Sequence, residues 1–537
     1  MLKNFKKTLT LATMYERIRK NTTFFQPSDD LNLATKGGMK IVRSKIINDL
    51  VLDRNNRVSA LFGTCCIYTQ IIKVVLFGGE KIMRKLILAL ALVAFVAAPA
   101  AASVQNVKIS GSVDSWYIWR DNFDLGESNG GDDEQQLFVT ISKLHVDADL
   151  TDQVAVTVGL INERAWEADG GATSADATDI DLYLAYVTLR EMLYSPLTLV
   201  VGRQVFSYGN SFIFDATGAN NAAPADSGLS SVANDLTNQT SLDAIRAILD
   251  YNPLTVDLVF AVVEPGVAKA NAVKDDVYLY GINANYELGD ELNSVIEAYF
   301  WKKVDKSDKA VGAGEKADVI KVTGIRGSTN PIEGLNVQAE FAYQGGSKRV
   351  AAQNNKRRRA YGVQGIVNYQ LPVMEEYNPM AQYVFTKVTG EAEGATTADD
   401  WTGWDPFFEA QGGGKIYNSI FNLSNAIINA VSLSATPMED VMAKVTFTHL
   451  MTERDLKGGA LVLVQPDGDT PSLSIKNGTQ SLGKELDLEL YYDYTEDVQI
   501  GVNAGWFFPG AAFTADSLSN INNNVAKQVL VNLNVAF

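Results

Sequence analysis

The chain has 537 residues, 46% of them hydrophobic and 20% charged, and a formal net charge of −17. A mean hydropathy of −0.03 argues against a bundle of membrane helices, and the apolar fraction argues against general disorder. The charge is unevenly divided: residues 1–102 hold 16 of the 46 basic and 6 of the 63 acidic residues, a net of +10. Residues 103–537 hold the other 30 and 57, a net of −27, and lack cysteine, since Cys65 and Cys66 both lie earlier. Two unlike segments are therefore expected.

The segment 83–102 has the three parts of a secretory signal. Met83-Arg84-Lys85 is a basic start, Leu86 to Ala98 is an apolar run, and Ala100 to Ala102 offers small residues to a signal peptidase. The apolar run is shorter than the ~20 residues that a spanning helix needs. We therefore expect cleavage after Ala102.

Residues 1–82 show no sustained periodicity, although a signal peptide acts at a nascent amino terminus. The codons of Gly78-Gly79-Glu80 can also spell a purine-rich ribosome-binding sequence just ahead of Met83. We expect translation to start at Met83 and residues 1–82 to be a misread upstream extension; a genuine basic extension is the alternative.

From Ser103 onward, stretches of about ten alternating residues are separated by breaks rich in Gly, Asp, Asn and Pro. In the segment 485–494, one face carries Leu486, Leu488 and Leu490, while the other carries Glu485, Asp487 and Glu489. A period of two places these sets on opposite faces of a β-strand. The chain also ends on an alternating strand whose apolar face finishes with Phe537.

Alternation alone fits either a soluble β-sandwich or a transmembrane barrel. Three features favour the barrel: Tyr and Trp cluster at strand ends, no long amphipathic helix follows the signal, and a terminal Phe is typical of the closing strand of outer-membrane barrels. The predicted fold class is all-β, a transmembrane antiparallel β-barrel formed by residues 103–537 with long extracellular loops, in the bacterial outer membrane. A secreted array of soluble β-sandwiches is the remoter alternative.

Eighteen strands are predicted, and sixteen is the alternative because three of them alternate poorly. Residues 253–254 and 332–334 are predicted to be short turns. The predicted strand centres lie near residues 113, 143, 157, 184, 200, 246, 259, 281, 297, 322, 339, 364, 383, 430, 446, 489, 502 and 532. The predicted long loops are 121–135, 164–178, 205–239, 389–424, 453–482 and 508–525. A wall of this size encloses more space than its own side chains fill, so we expect a pore.

Motifs of nucleophilic or zinc-dependent hydrolysis are absent from the sequence, and no enzymatic activity is expected. The two histidines, His145 and His449, are far apart in sequence and are each expected on a barrel face. Asp467-Gly468-Asp469 has Gly478 where an EF-hand loop needs Glu. No cofactor or resident metal is predicted; loose Ca²⁺ binding by acidic loops such as Gly131-Asp132-Asp133-Glu134 is the alternative to simple solvated charge.

Charged residues on the lumen face are the candidates for pore lining and selectivity, because charge on the lipid face is costly at the membrane midplane. Their effect would be on ion and solute selectivity, whereas a role in pairing and stiffening the barrel is the alternative. The candidates are Lys143, Asp147, Arg203, Arg246, Arg358, Glu485, Asp487 and Glu489.

Several short motifs resemble the alginate-export family of outer-membrane porins. They are Val201-Gly202-Arg203-Gln204 with Tyr208-Gly209, Asp243 to Arg246, Trp404 to Phe408, Asn422 to Pro437, Gly483 to Asp487 and Phe508-Pro509-Gly510. The resemblance implies an eighteen-stranded barrel whose basic lumen attracts a uronate polyanion and whose loops gate the pore. The acidic face of the strand near 489 departs from that pattern.

The function predicted from the sequence is passive diffusion of small hydrophilic or carbohydrate solutes through this barrel. Export of an acidic polysaccharide such as alginate is one alternative, and a structural or adhesive barrel with a blocked lumen is another. The loops 205–239 and 389–424 are the candidates for constricting the pore. The expected partners are outer-membrane lipid and lipopolysaccharide and the transported solute, with no nucleic acid; the oligomeric state is left open.

Overall fold

The computed structural model describes residues 106–126, 134–166, 180–215, 223, 227–230, 232–264, 277–306, 317–351, 354–391, 400–410, 414–456, 459–463, 466, 472–513 and 523–537. The predicted upstream extension 1–82, the predicted signal 83–102 and the acidic segments at 131–133 and 467–469 lie outside these residues.

The described chain consists almost entirely of β-strands. Their bounds are β1 Asn106–Asp121, β2 Gln135–Thr151, β3 Val154–Ala165, β4 Asp181–Leu189, β5 Leu197–Gln204, β6 Leu242–Asp250, β7 Leu254–Glu264, β8 Val277–Glu287, β9 Val295–Asp305, β10 Asp318–Ile332, β11 Leu335–Ala351, β12 Asn354–Arg357, β13 Ala360–Gln370, β14 Met380–Val388, β15 Ala426–Met438, β16 Val441–Met451, β17 Gly459–Val462, β18 Ser472–Ile475, β19 Ser481–Thr495, β20 Val498–Pro509 and β21 Ala526–Ala536. A short helix, α1, spans Lys415–Ile420.

Eighteen of these strands close into one antiparallel barrel. Each pairs with the next barrel strand in the chain, and β1 pairs with β21 from Ser112 opposite Ala536 to Asp121 opposite Lys527. Closure leaves no free sheet edge between the first and last strands. The short strand β12 pairs with the loop end of β11, and β17 and β18 form a separate hairpin. The predicted eighteen-stranded barrel is confirmed, and every predicted strand centre falls within a barrel strand.

The alternating residues divide between an apolar outer face and a polar or packed inner face. On β19, Leu488 and Leu490 are exposed outside, whereas Glu485 and Asp487 are buried inside. On β9, Phe300 is exposed and its neighbour Trp301 is buried in the lumen. An apolar exterior around a closed barrel is the arrangement that the hydrocarbon of a membrane requires. Within the described residues, no helix combines the length and apolarity needed to cross a membrane.

Short turns and long connections occupy opposite rims of the barrel. At the beginning of the chain, short connections follow the even-numbered strands, and we call the rim that they form the turn rim. The predicted turns at 253–254 and 332–334 both lie on it. The long connections, including all six that were predicted, lie on the other rim, which we call the loop rim. Two further long ones, 265–276 and 306–317, join β7 to β8 and β9 to β10 and were not predicted. In barrels of this kind the loop rim faces the outside of the cell.

Candidate functional site in the lumen

The described parts of two long connections fold into the lumen instead of standing above it. We call them L3 (residues 205–241) and L7 (residues 389–425). In L3, Phe214 stacks on the inward-facing Trp301 of β9 with ring centroids 4.7 Å apart. Phe206 and Phe212 are buried in the same apolar cluster as Trp301. Burial of three Phe rings against the wall holds this part of L3 inside the barrel.

L7 packs against L3 and against the opposite wall. Its Trp404 stacks on Phe212 at 5.9 Å, and Phe408 contacts Phe214 at 5.1 Å. The backbone N–H of Asp215 also donates to the carbonyl oxygen of Phe408 at 2.7 Å. The two predicted constriction loops therefore form one layer across the loop-side half of the lumen.

The acidic residues of β19 hold the helix of L7. The Glu485 carboxylate accepts hydrogen bonds from the backbone N–H groups of Ile416 (2.7 Å) and Tyr417 (2.9 Å), and Asp487 accepts a longer one from Lys415 (3.4 Å). Both carboxylates face inward as predicted, but Glu485 is fully buried and Asp487 nearly so. They anchor α1 and are covered by it.

Glu489, one step toward the turn rim, lies between two lysines. Its carboxylate oxygens are 3.4 Å from the Nζ atoms of Lys415 on L7 and Lys444 on β16. Tyr491 also donates its hydroxyl to Glu489 at 2.9 Å. Glu489 faces inward as predicted, and its charge is matched by neighbouring cations.

L3 has its own carboxylate anchor, Glu163 of β3, which the sequence analysis missed. Its side chain accepts hydrogen bonds from the Asn238 backbone N–H (2.6 Å), the Thr237 hydroxyl (3.0 Å) and the Ser227 hydroxyl. Lys143 of β2 donates to the Asn238 side chain at 2.7 Å. The only signal for Glu163 was a run of three polar residues, Asn162 to Arg164, at the loop end of an otherwise apolar strand. Such a run does not show which of its residues faces the lumen.

Two other predicted residues lie on the lumen wall in local pairs. Arg246 of β6 donates to Asp257 of β7 at 2.5 Å and 2.8 Å, and Tyr208 of L3 donates to the same carboxylate at 2.8 Å. Asp147 of β2 accepts from the Thr157 hydroxyl at 2.6 Å. Arg246 therefore joins the wall to L3, whereas Asp147 is held within the wall.

Arg358 is enclosed at the loop rim. Its guanidinium lies 2.5 Å from a carboxylate oxygen of Asp318 on β10 and 2.8 Å from one of Asp405 on L7, and its side chain is 1% exposed. Coulomb attraction from Arg358 and Lys348 outweighs the effect of burial and lowers the pKa of Asp405. Arg358 thus fastens L7 to the wall and does not line an open path, contrary to the sequence prediction.

Arg203 lies on the outer face, so its predicted place in the lumen is wrong. It pairs with Asp243, the residue directly opposite on β6, at 2.8 Å, and both side chains are nearly half exposed. The buried residues Val200 and Gln204 occupy the inner face of β5. A charge is tolerated outside because Arg203 is next to the loop end of its strand, where the cost of facing lipid is small.

A cavity of about 480 Å³ lies where L3 and L7 meet the wall formed by β1, β19, β20 and β21. Three carboxyl groups line it: Asp114 of β1, Asp235 of L3 and Glu409 of L7. One oxygen of Asp235 pairs with Arg120 at 2.6 Å, while its other oxygen and Oε2 of Glu409 have no hydrogen-bond partner among the described residues. Burial raises the pKa of Glu409 to about 8. The cavity therefore offers an acceptor, the free oxygen of Asp235, and donors, the Glu409 carboxyl and the Trp116 indole N–H.

Aromatic and amide side chains complete the cavity. Ring surface comes from Trp116, Tyr417, Phe421 and Tyr491. Amide groups come from Asn503 of β20 and Gln528 of β21. Rings beside carboxyl and amide groups suit a hydroxylated solute, because its C–H faces can pack on the rings while its hydroxyls meet acceptors.

Toward the turn rim, the inner wall carries uncharged polar side chains beside charges that are paired with one another, such as Arg326 with Glu297 and Lys444 with Glu489. Amide and hydroxyl side chains hydrogen-bond to one another across neighbouring strands, as in Gln382 with Asn368 at 2.8 Å and Ser432 with Thr446 at 2.9 Å. Others of this type on the inner face are Asn283, Asn336, Gln338, Gln364, Thr386, Thr448, Asn503 and Asn532. The described lumen thus has a half filled by L3 and L7 and a turn-side half lined by neutral polar groups and paired charges.

Comparison with one solved structure supports the barrel fold, and two others are similar to a lesser degree. OccK1 (OpdK) of Pseudomonas aeruginosa is similar with a TM-score of 0.50 at 10% identity, over 81% of this chain and 99% of that one. OccK11 (OpdR) of the same organism gives 0.49 at 10% over 81% and 96%, and OccAB1 of Acinetobacter baumannii gives 0.47 at 10% over 82% and 98%. No curated protein matches the chain.

Family membership follows from the sequence match. The model of the family described as Alginate export matches residues 107–527, which include all of the barrel except Asn106 and most of the last strand, β21. Together with the closed wall and its apolar exterior, this match identifies the chain as a β-barrel of the alginate-export family in the bacterial outer membrane.

Proposed function

We propose that the barrel is a channel for passive diffusion of small hydrophilic solutes, including saccharides. The observation that carries the proposal is the lumen chemistry: amides, hydroxyls and charges already paired with one another on the turn-side wall, leading to a polar aromatic cavity between L3 and L7. An uncharged hydroxylated solute can exchange hydrogen bonds along such a wall without a large desolvation cost.

The pairing of the lumen cations supports a neutral solute over a polyanion. Arg246 is neutralised by Asp257, Arg326 lies 3.3 Å from Glu297, and Lys444 pairs with Glu489. A polyanion passing these groups must compete with a fixed carboxylate at each one. The proposal includes no enzymatic activity and no cofactor, and it includes membrane lipid and lipopolysaccharide as the surroundings of the barrel.

Export of an acidic polysaccharide is the second candidate, and family membership favours it. It requires a continuous cationic path, which would have to form when L3 and L7 move and separate Lys143 from Asn238 and Lys415 from Glu489. A structural or adhesive barrel is the third candidate, because L3 and L7 occupy the loop-side lumen.

Recordings in planar bilayers with a KCl gradient separate the candidates. A neutral solute channel should conduct without strong anion preference, and vesicles carrying it should swell in a neutral disaccharide faster than in uronate oligomers of similar length. Strong anion preference, with block of the current by uronate oligomers, would favour polyanion export instead. Absence of any open current would favour the structural barrel.

A further inference from the structure

Three lysines form a patch on the outer face of the barrel near the loop rim. Lys302 of β9 and Lys321 of β10 are directly opposite each other across the strand pair, each three residues from the loop end of its strand. Lys306 follows β9. Lys302 lies over the ring of Tyr280 at 5.7 Å, and Lys306 lies over Tyr278 at 5.2 Å. We call Lys302, Lys306 and Lys321 the lysine patch.

The positions of neighbouring side chains show that the patch faces outward. Trp301 and Ile320, adjacent to the two strand lysines, are buried in the lumen cluster, whereas Phe300, two residues below Lys302, is exposed on the outer face. Tyr280 is 42% exposed on that face, directly opposite Lys302. Tyr beside Lys marks the level at which lipid headgroups begin.

The patch has no carboxylate partner among the described residues, whereas three other cations on the outer face near the loop rim have one. Arg203 pairs with Asp243 at 2.8 Å, Lys527 with Asp121 at 2.9 Å, and Lys387 lies 3.5 Å from Glu453. Like charges directly opposite on two strands repel each other. Lys302 and Lys321 would therefore be stabilised together by an external anion.

We propose that the lysine patch binds the phosphate groups of a phosphorylated glycolipid in the outer leaflet. The loop rim faces the outside, so the lipid that meets the patch belongs to that leaflet. Its phosphates lie at the headgroup level, where ammonium groups can reach them, and its acyl chains can pack on Phe300 and Ile325 below. The two facing lysines repel each other, and a phosphate anion between them would relieve this repulsion. The apolar face of a second barrel would not, so we favour the glycolipid as the occupant.

The test is binding of lipid A to the purified full-length protein in neutral detergent, followed by native mass spectrometry. Bisphosphorylated lipid A should bind the double variant Lys302→Gln/Lys321→Gln about 25-fold more weakly than the original protein, which is about fivefold for each lysine. Arg203→Gln is the matched control: it also removes an outer-face cation near this rim, but one already neutralised by Asp243, and should change affinity by less than twofold.

A second measurement needs no variant. Dephosphorylated lipid A should bind the original protein as weakly as the bisphosphorylated form binds the double variant. Equal affinity of the double variant and the original protein for bisphosphorylated lipid A would overturn the proposal. Equally tight binding of phosphatidylglycerol would also overturn it, since the patch would then recognise negative charge alone.

Discussion

Replacement of Glu485 by alanine tests whether this carboxylate keeps L7 in the lumen. The change removes the acceptor of two backbone hydrogen bonds at the start of α1, at 2.7 Å and 2.9 Å. Two hydrogen bonds together contribute about 1–3 kcal/mol. Burial of Ile416, Tyr417 and Ile420 contributes a further ~5–9 kcal/mol, which the variant retains. The helix should therefore stay in place most of the time.

The loss of ~2 kcal/mol raises the population of the detached helix about 30-fold. Single-channel recordings should then show the original main conductance with more than tenfold more frequent excursions to a larger one. Asp487→Asn is the control, because Asp487 accepts only a 3.4 Å contact from Lys415, and its opening frequency should change by less than threefold. A folded Glu485→Ala barrel with unchanged opening frequency would refute the anchoring role.

Four further measurements test other predictions. Because the pKa of Glu409 is raised to about 8, its carboxyl is mainly neutral at pH 7; cation preference should increase as pH rises from 7 to 9, and Glu409→Gln should abolish the increase. The same shift means that the folded barrel holds this proton while the unfolded chain loses it, so thermal stability should fall between pH 4.5 and 8 and Glu409→Gln should flatten that fall. Arg246→Glu places a second carboxylate beside Asp257, and the reversal potential in a KCl gradient should move toward cation preference, while Arg246→Lys should not move it. Amino-terminal sequencing of the native protein should begin at Ser103, and any peptide from residues 1–82 would contradict the predicted start.

The strands could be predicted because alternation survives wherever the outer face meets lipid. The three strands that alternate poorly, near 322, 383 and 430, have a specific reason for it. Their inner faces carry Val322, Val388 and Ile428, which are buried in the apolar cluster under L3 and L7. Apolar residues then stand on both faces, and the period of two weakens. The sequence pattern there reflects the inner loops, whose position depends on contacts distant along the chain.

The lumen site was only partly predictable. Alternation placed Lys143, Glu485 and Glu489 on the inner face correctly, since an outward charge in the middle of a strand is costly. The same rule failed for Arg203, where the loop end is near and Asp243 lies opposite. The sequence could not show which inward charges are covered by the inner loops. Glu485, for example, is buried by α1, a segment about 70 residues earlier in the chain.

The two carboxylate anchors of the inner loops constrain the order in which the molecule assembles. Glu163 on β3 and Glu485 on β19 both lie within three strands of the seam where β21 meets β1, and Arg120 links that seam to L3 through Asp235 and to β21 through Gln528. L3 and L7 can reach both anchors together only after the first and last strands have met. We therefore expect protection of L3 and L7 from protease to appear no earlier than barrel closure, so that the inner loops act as a final lock on the seam; protection that precedes closure would contradict this order.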